Sequence, residues 1–170
     1  MNASNSGPCL HLLCGKAGAG KSTQAQALAA EHRAILIAED IWLMRLYGPM
    51  ASFDDYRTYS QRVKAVVGPL VVDLLSLGQT VVLDYPANTQ GARLWLRSLG
   101  ESAQVPHVLH HLATPDEICL DRIARRNTER PEGSYHLTRA DFDHVSSFFE
   151  PPEEDEGFTI ETHLPVVDPR

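Results

Sequence analysis

Eight residues near the start of the chain restrict its fold more than any others. Gly15-Lys-Ala-Gly-Ala-Gly-Lys21-Ser22 fits the pattern G-x-x-x-x-G-K-[ST] at every required position. The glycines let the backbone curl so that successive N–H groups point inward and form a nest for a phosphate group. Lys21 then reaches the β- and γ-phosphates, and the Ser22 hydroxyl offers an oxygen to Mg²⁺. Such a loop belongs between a buried strand and a helix whose positive N-terminal dipole faces the phosphates. The flanks agree with that requirement. Cys9-Leu-His-Leu-Leu-Cys14 is a short apolar run, and Thr23–His32 consists almost wholly of good helix formers. The sequence therefore predicts strand, glycine loop and helix. Gly15, Ala17, Gly18, Ala19, Gly20, Lys21, Ser22 and Thr23 are the expected contacts to a nucleoside triphosphate.

A chain of 170 residues, 43% hydrophobic and 22% charged, suits one domain, 1–170, with a real core. No stretch approaches the ~20 apolar residues needed to cross a bilayer. Residues 1–7 lack the basic and apolar regions of a signal peptide and read as a loose tail, so the expected location is the cytoplasm. Cys9, Cys14 and Cys119 lie in or beside apolar segments without C-x-x-C spacing, and read as buried free thiols. A net charge of −7, with no basic block outside one helix near residue 125, disfavours long nucleic-acid tracts as partners. It leaves room for a local basic pocket for ATP.

Five candidate strands, at about 9–14, 34–38, 79–84, 105–112 and 158–163, alternate with helical stretches. Runs such as Ala34-Ile-Leu-Ile-Ala38 suit parallel strands buried on both faces, and the alternation implies an α/β sandwich with right-handed crossovers. Residues 52–77 read as a helix opened by a capping box at Ser52–Asp55, with Gly68-Pro69 expected to kink or split it. Asn88 is the expected cap of a helix running to about Leu99. A helix over about 115–129 stops at Pro131-Glu-Gly133. Thr138–Asp141 then reads as a capping box for a short helix with Phe142, Val145, Phe148 and Phe149 on its apolar side.

Ligands in open α/β sheets sit at the carboxyl ends of strands, so polar residues there are the candidates for chemistry. Asp84 follows Val81-Val82-Leu83 and either holds the Mg²⁺ hydration shell, meets a substrate hydroxyl or simply turns the chain. Asp40 ends the second strand and either takes a proton from a substrate hydroxyl or caps the next helix. Glu39 beside it reads as a solvated residue. Arg122, Arg126 and Arg130 lie four apart on one helix face, whereas Arg125 reads as exposed. Such a stripe pairs with triphosphate through bidentate guanidinium contacts, or with neighbouring carboxylates in solvent. The acidic run Pro151–Glu156 reads as a solvated loop, and Trp42, Tyr47, Tyr56, Tyr59 and Tyr85 as acceptor lining or core. His110 and His111 read as core or rim. No structural metal is assigned to the eight histidines.

Together these residues resemble the small P-loop kinases, a group that includes shikimate and gluconate kinases, adenylate kinase, chloramphenicol phosphotransferase, zeta toxins and polynucleotide 5′-kinase modules. The resemblance is strongest to bacterial P-loop kinases of the AAA-type ATP-binding kind. It rests on Gly15–Ser22, Ala38–Trp42, Val81–Asp84, Cys119–Asn127 and Phe148–Phe158. It implies a parallel sheet of order 2-3-1-4-5 and an arginine-bearing helical lid over about 122–150. It also implies an acceptor site between strands two and three and the helices at 41–77. Asp40 takes the base position and Arg122 and Arg126 the lid positions.

Two departures bear on the acceptor. Polynucleotide kinases carry D-x-x-R, where Asp40 is followed by Leu43. Nucleotide monophosphate kinases carry D-G-F-P-R, where this chain has Asp84-Tyr-Pro-Ala-Asn88. The expected activity is therefore transfer of the γ-phosphoryl group of ATP, with Mg²⁺ at Ser22 and Asp84, to a small-molecule hydroxyl. Lys21, Asp40, Arg122 and Arg126 would be catalytic and Arg130 a further ATP contact, in a monomer or weak dimer. A P-loop ATPase acting on a protein partner and a nucleic-acid 5′-end kinase are the alternatives.

Overall fold

The computed structural model describes residues 7–165. All but Gly7 of the expected tail lies outside them. Among the described residues five strands form one parallel sheet: β1 (Leu10–Cys14), β2 (Ile35–Ala38), β3 (Val81–Pro86), β4 (His107–Leu112) and β5 (Thr159–His163). Their order is β2-β3-β1-β4-β5, which is the expected 2-3-1-4-5. Helices connect them: α1 (Lys21–His32), α2 (Glu39–Tyr47), α3 (Phe53–Ser76), α4 (Gln90–Ala103), α5 (Asp116–Glu129) and α6 (Arg139–Ser146). The chain thus has a P-loop NTPase α/β fold. No helix is long and apolar enough to cross a membrane among the described residues.

Alternation along the strands divides the core between the two sheet faces. Leu10, Leu12 and Cys14 of β1 join Leu83 and Tyr85 of β3 and Val63, Val67, Val71 and Leu96 beneath α3 and α4. Leu13 and Val82 face the other way, against Ala25 and Leu28 of α1 and Cys119 and Ile123 of α5. Cys14 and Cys119 are buried and Cys9 half-buried, and all three are free thiols.

Several local expectations are corrected. α3 is a single helix of 24 residues that carries Pro69 inside it. Gly68 lies at the crossing with α4, where Trp95 and Leu99 stand 3.6 Å from the place of a Cβ, an ordinary contact distance. Packing at that crossing outweighs the one hydrogen bond that Pro69 cannot donate. α4 is capped by Thr89, whose side chain accepts from the Ala92 N–H at 3.1 Å, and not by Asn88. Thr138 and Asp141 do form the capping box of α6, but Phe148 lies beyond that helix and is 58% exposed.

One irregularity in the sheet re-aims the site. The β1–β3 register runs evenly through Leu12↔Leu83 and then jumps to Leu13↔Pro86. Asp84 and Tyr85 are therefore extra residues on β3, a bulge that bends the strand end where the phosphate loop begins.

Candidate active site

Gly15–Gly20 join β1 to α1, and α1 begins at Lys21 with Gly20 as its N-cap. Gly15, Gly18 and Gly20 have φ of +155°, +75° and +103°. For Gly18 the requirement is also steric, because a Cβ there would run into the backbone carbonyl of Cys119 in α5. Loop and helix thus touch backbone to backbone. Lys21 Nζ donates to the carbonyls of Gly15 (2.6 Å) and Lys16 (2.9 Å) and so lies folded across the mouth of the loop. Burial lowers the pKa of its ammonium, and Asp84, ahead of Asp40, is the strongest carboxylate opposing that shift. Ser22 and Thr23 are exposed at the start of α1.

Two side chains brace the loop from outside. Arg122 donates from Nη1 to the Ala19 carbonyl at 2.9 Å, and Thr114 Oγ1 donates to the same oxygen at 3.0 Å. Asn88, released from capping, accepts the Gly15 N–H on Oδ1 at 2.9 Å. Lys16 pairs with Asp116 at 2.7 Å. The sequence reads Asn88 as a helix cap and not as a loop contact, and Thr114 was not singled out. Asn88 stands beside a threonine that caps equally well, so nothing local tells which of the two turns toward the loop.

The strand order sets Asp84 and Asp40 apart in the way the fold requires. β3 adjoins β1, and Asp84 sits at its end opposite Ala38 of β2. Asp84 is half-exposed, and its carboxylate and the Ser22 hydroxyl are each hard oxygen donors of the kind Mg²⁺ takes. Asp40 is one strand farther out, in the first turn of α2, and Ala38 is the N-cap there, so Asp40 is no helix cap. Solvent reaches its carboxylate, yet protein encloses it on most sides. That burial, with the charges of Glu39 and Asp84, pushes its pKa up to about 7 against the pull of Lys21 and Arg126.

Glu39 corrects the expectation of a solvated residue: it is 1% exposed. Its carboxylate accepts from the Tyr56 hydroxyl at 3.0 Å and the Ser60 hydroxyl at 2.5 Å, both on α3. Burial and this carboxylate hold the Tyr56 phenol well above its ordinary range. The Tyr85 hydroxyl, the Tyr135 hydroxyl and Arg126 Nε are buried near these carboxylates without a protein partner. Polar groups of Glu39, Asp40, Tyr56, Tyr85, Arg126 and Tyr135 thus influence one another beside the loop, with Glu39 and Tyr85 buried. Tyr47 and Tyr59 stack on each other instead, centroids 4.0 Å apart.

The arginine stripe divides by role. Arg122 is committed to the loop, Arg126 is half-buried near Asp40, and Arg130 is exposed at the end of α5. Arg125 is exposed and faces Glu129 at 3.8 Å. Beyond α5 the chain folds back on α2: Arg45 donates to Glu132 at 2.6 and 3.0 Å, and Gly133 packs on the backbone of Asp40 and Ile41. A cavity of about 450 Å³ lies under this segment, lined by Met44, Arg126, Arg130 and Tyr135 among others. A hollow of about 470 Å³ between α3 and α4, near Lys64, Pro69 and Trp95, lies away from the loop.

The acidic run is only partly the solvated loop expected. Arg93 on α4 is fully buried and pairs with Glu156 through Nε (2.6 Å) and Nη2 (2.8 Å). Its Nη1 also donates to the carbonyls of Ala87 (3.1 Å) and Glu150 (2.8 Å). The Glu150 N–H in turn donates to the Asn88 carbonyl. This clamp ties residues 150–156 to the turn that holds Gly15.

Comparison with known proteins agrees with this architecture. A candidate kinase from Chloroflexus aurantiacus superposes with a TM-score of 0.75 at 18% identity, covering 92% of this chain and 88% of that one. Kti12 of Chaetomium thermophilum, in complex with ADP-AlF3, gives 0.66 at 19% identity, over 95% and 90%. The APS kinase CysC of Mycobacterium tuberculosis, in complex with AMPPNP and APS, gives 0.64 at 18% identity, over 95% and 91%. At these identities the likeness is one of fold. No curated protein matches the chain. Residues 10–152 match the AAA domain family, and by that match the chain belongs to it, on the fold of the small P-loop kinases.

Proposed function

We propose that this protein transfers the γ-phosphoryl group of ATP to a hydroxyl of a small molecule. The observation that carries the reading is Asp40: a carboxylate at the second strand end, outside the loop, with a pKa near 7 and Arg126 beside it. A group so tuned can collect a hydroxyl proton late in a loose phosphoryl-transfer transition state. Asp84 stands nearer the loop, where a bound cation would hold it as an anion and make it a poor base.

In this reading the backbone N–H groups of Gly15–Thr23 hold the phosphates and Lys21 swings from the loop carbonyls to the γ-phosphate. Mg²⁺ held by Ser22 and Asp84 would supply charge neutralisation on the phosphate oxygens. Arg122 fixes the loop and, with Arg126, answers charge on the transferring group, and Arg130 closes on the triphosphate from the exposed end of α5. The acceptor lies in the cavity lined by Met44, Arg126 and Tyr135, next to Asp40. Its unpartnered Tyr135 hydroxyl and Arg126 Nε suit an acceptor with several hydroxyl groups.

A panel of small hydroxyl compounds, followed by coupled ADP detection and by mass spectrometry of the acceptor, tests this reading. A true acceptor raises ADP release and gains one phosphoryl group, and Asp40→Asn lowers transfer by ~10²-fold or more while ATP affinity holds. ATP turnover that responds to a protein or a nucleic-acid end and to no small molecule would overturn it.

A further inference from the structure

On the sheet face covered by α1 and α5, strand alternation lines up four side chains that the phosphate site does not use. His11 of β1 neighbours β4, and the β4–β5 register sets His110 opposite Glu161 and Leu112 opposite His163. His11 and His110 are 5% and 1% exposed. His110 Nε2 lies 2.9 Å from His11 Nδ1, and its Nδ1 lies 2.9 Å from His163 Nε2 and 3.4 Å from Glu161 Oε2. One ligand atom each from His110, Glu161 and His163 falls within 4.8 Å of the others. His32 stacks on His11 with centroids 4.5 Å apart and closes the row.

We propose that His110 Nδ1, His163 Nε2 and the Glu161 carboxylate bind a divalent transition-metal ion of the Zn²⁺ class, which clips β5 to β4. Metal–nitrogen bonds of about 2.0–2.1 Å at angles between 90° and tetrahedral put ligand atoms about 2.9–3.4 Å apart. The separations around His110 Nδ1 match. A set of two imidazoles and one carboxylate suits Zn²⁺ and its neighbours, whereas the hard Mg²⁺ expected at the phosphate loop prefers oxygen alone.

Four further features fit. Glu161 forms no ion pair with a lysine or arginine among the described residues. A dication supplies that missing charge. With Nδ1 on the metal, His110 keeps its proton on Nε2 and donates it to His11 Nδ1, the outer hydrogen bond that fixes a ligating imidazole. Glu161 is 55% exposed, which gives an ion a path in. β5 is an edge strand bonded to β4 alone, so a metal here acts on the strand that most needs holding.

The test uses the full chain stripped with EDTA and then titrated with Zn²⁺ by calorimetry and with Co²⁺ by visible absorption. One ion per chain is expected, with Co²⁺ bands showing nitrogen ligation and a rise in Tm. Glu161→Gln, a change at an exposed side chain that leaves the fold intact by circular dichroism, should weaken binding at least tenfold, and His163→Ala likewise. Asp84→Asn should leave Zn²⁺ affinity unchanged. No binding, equal affinity in Glu161→Gln and His163→Ala, or loss of binding in Asp84→Asn would each overturn the proposal.

Discussion

Glu156 is the residue whose loss should reveal most about how this fold is held. It lies in a run of exposed carboxylates, yet its side chain is 12% exposed and carries both forked contacts to Arg93, which is 0% exposed. Glu156→Ala strands a guanidinium in the interior with two of its donors unmet. Breaking a buried pair from one side costs about 3–5 kcal/mol. At about 2–4 °C per kcal/mol for a chain of this size, Tm should fall by ~6–20 °C. Glu154→Ala, two residues away and exposed, should stay within about 0.5 kcal/mol of wild type. Arg93→Met combined with Glu156→Ala should be less unstable than the two single losses added together, because the stranded charge is gone. Urea titrations followed by circular dichroism give all four values. If Glu156→Ala costs no more than Glu154→Ala, the pair is a surface contact and the clamp does not exist.

Three other outcomes follow from the site. Asn88→Ala removes one acceptor from the Gly15 N–H and should weaken ATP binding about 2–12-fold by calorimetry, while Thr89→Ala should lower stability and spare ATP affinity. Gly18→Ala should abolish ATP binding and lower Tm, since both its φ of +75° and the Cys119 carbonyl oppose a side chain; normal ATP affinity in that variant would show the loop to be looser than described. Asp40, raised to about 7, is protonated below that value, so kcat/KM should fall as pH drops through 7 and the fall should vanish in Asp40→Asn. The same shift predicts the sign for stability: Asp40 contributes most below pH ~4 and loses that contribution as pH rises through 7, which urea midpoints of wild type and Asp40→Asn can compare.

The phosphate loop and the strands were legible because each depends on local pattern, a glycine spacing and apolar runs, and the strand order followed from the resemblance to the small P-loop kinases. What escaped depends on partners far along the chain. Glu39 and Asp40 are adjacent carboxylates, and only the start of α2 at Glu39 decides that the first points at Tyr56 and Ser60. Arg93 carried a readable sign, since it shares the buried stripe of α4 with Leu96 and Leu99, an odd place for an unpaired charge. Its partner lies 63 residues away, beyond reach of any helix rule. The histidine row is likewise invisible in linear spacing, because three strands contribute to it and register alone brings them together.

The backbone contact between Gly18 and Cys119 divides the molecule into a part that cannot drift and a part that can. α5 is seated against the loop near its start and carries Arg122 at a fixed height above Ala19, so the nucleotide end tolerates little change in length or tilt. From Arg130 onward the chain leaves that seat and meets α2 through one exposed ion pair and a glycine. On the proposed function, insertions, deletions or exchanges at 131–137 would therefore reshape the acceptor mouth while the ATP end keeps its dimensions. A scaffold built in this way can acquire new substrates by rewriting one short connection.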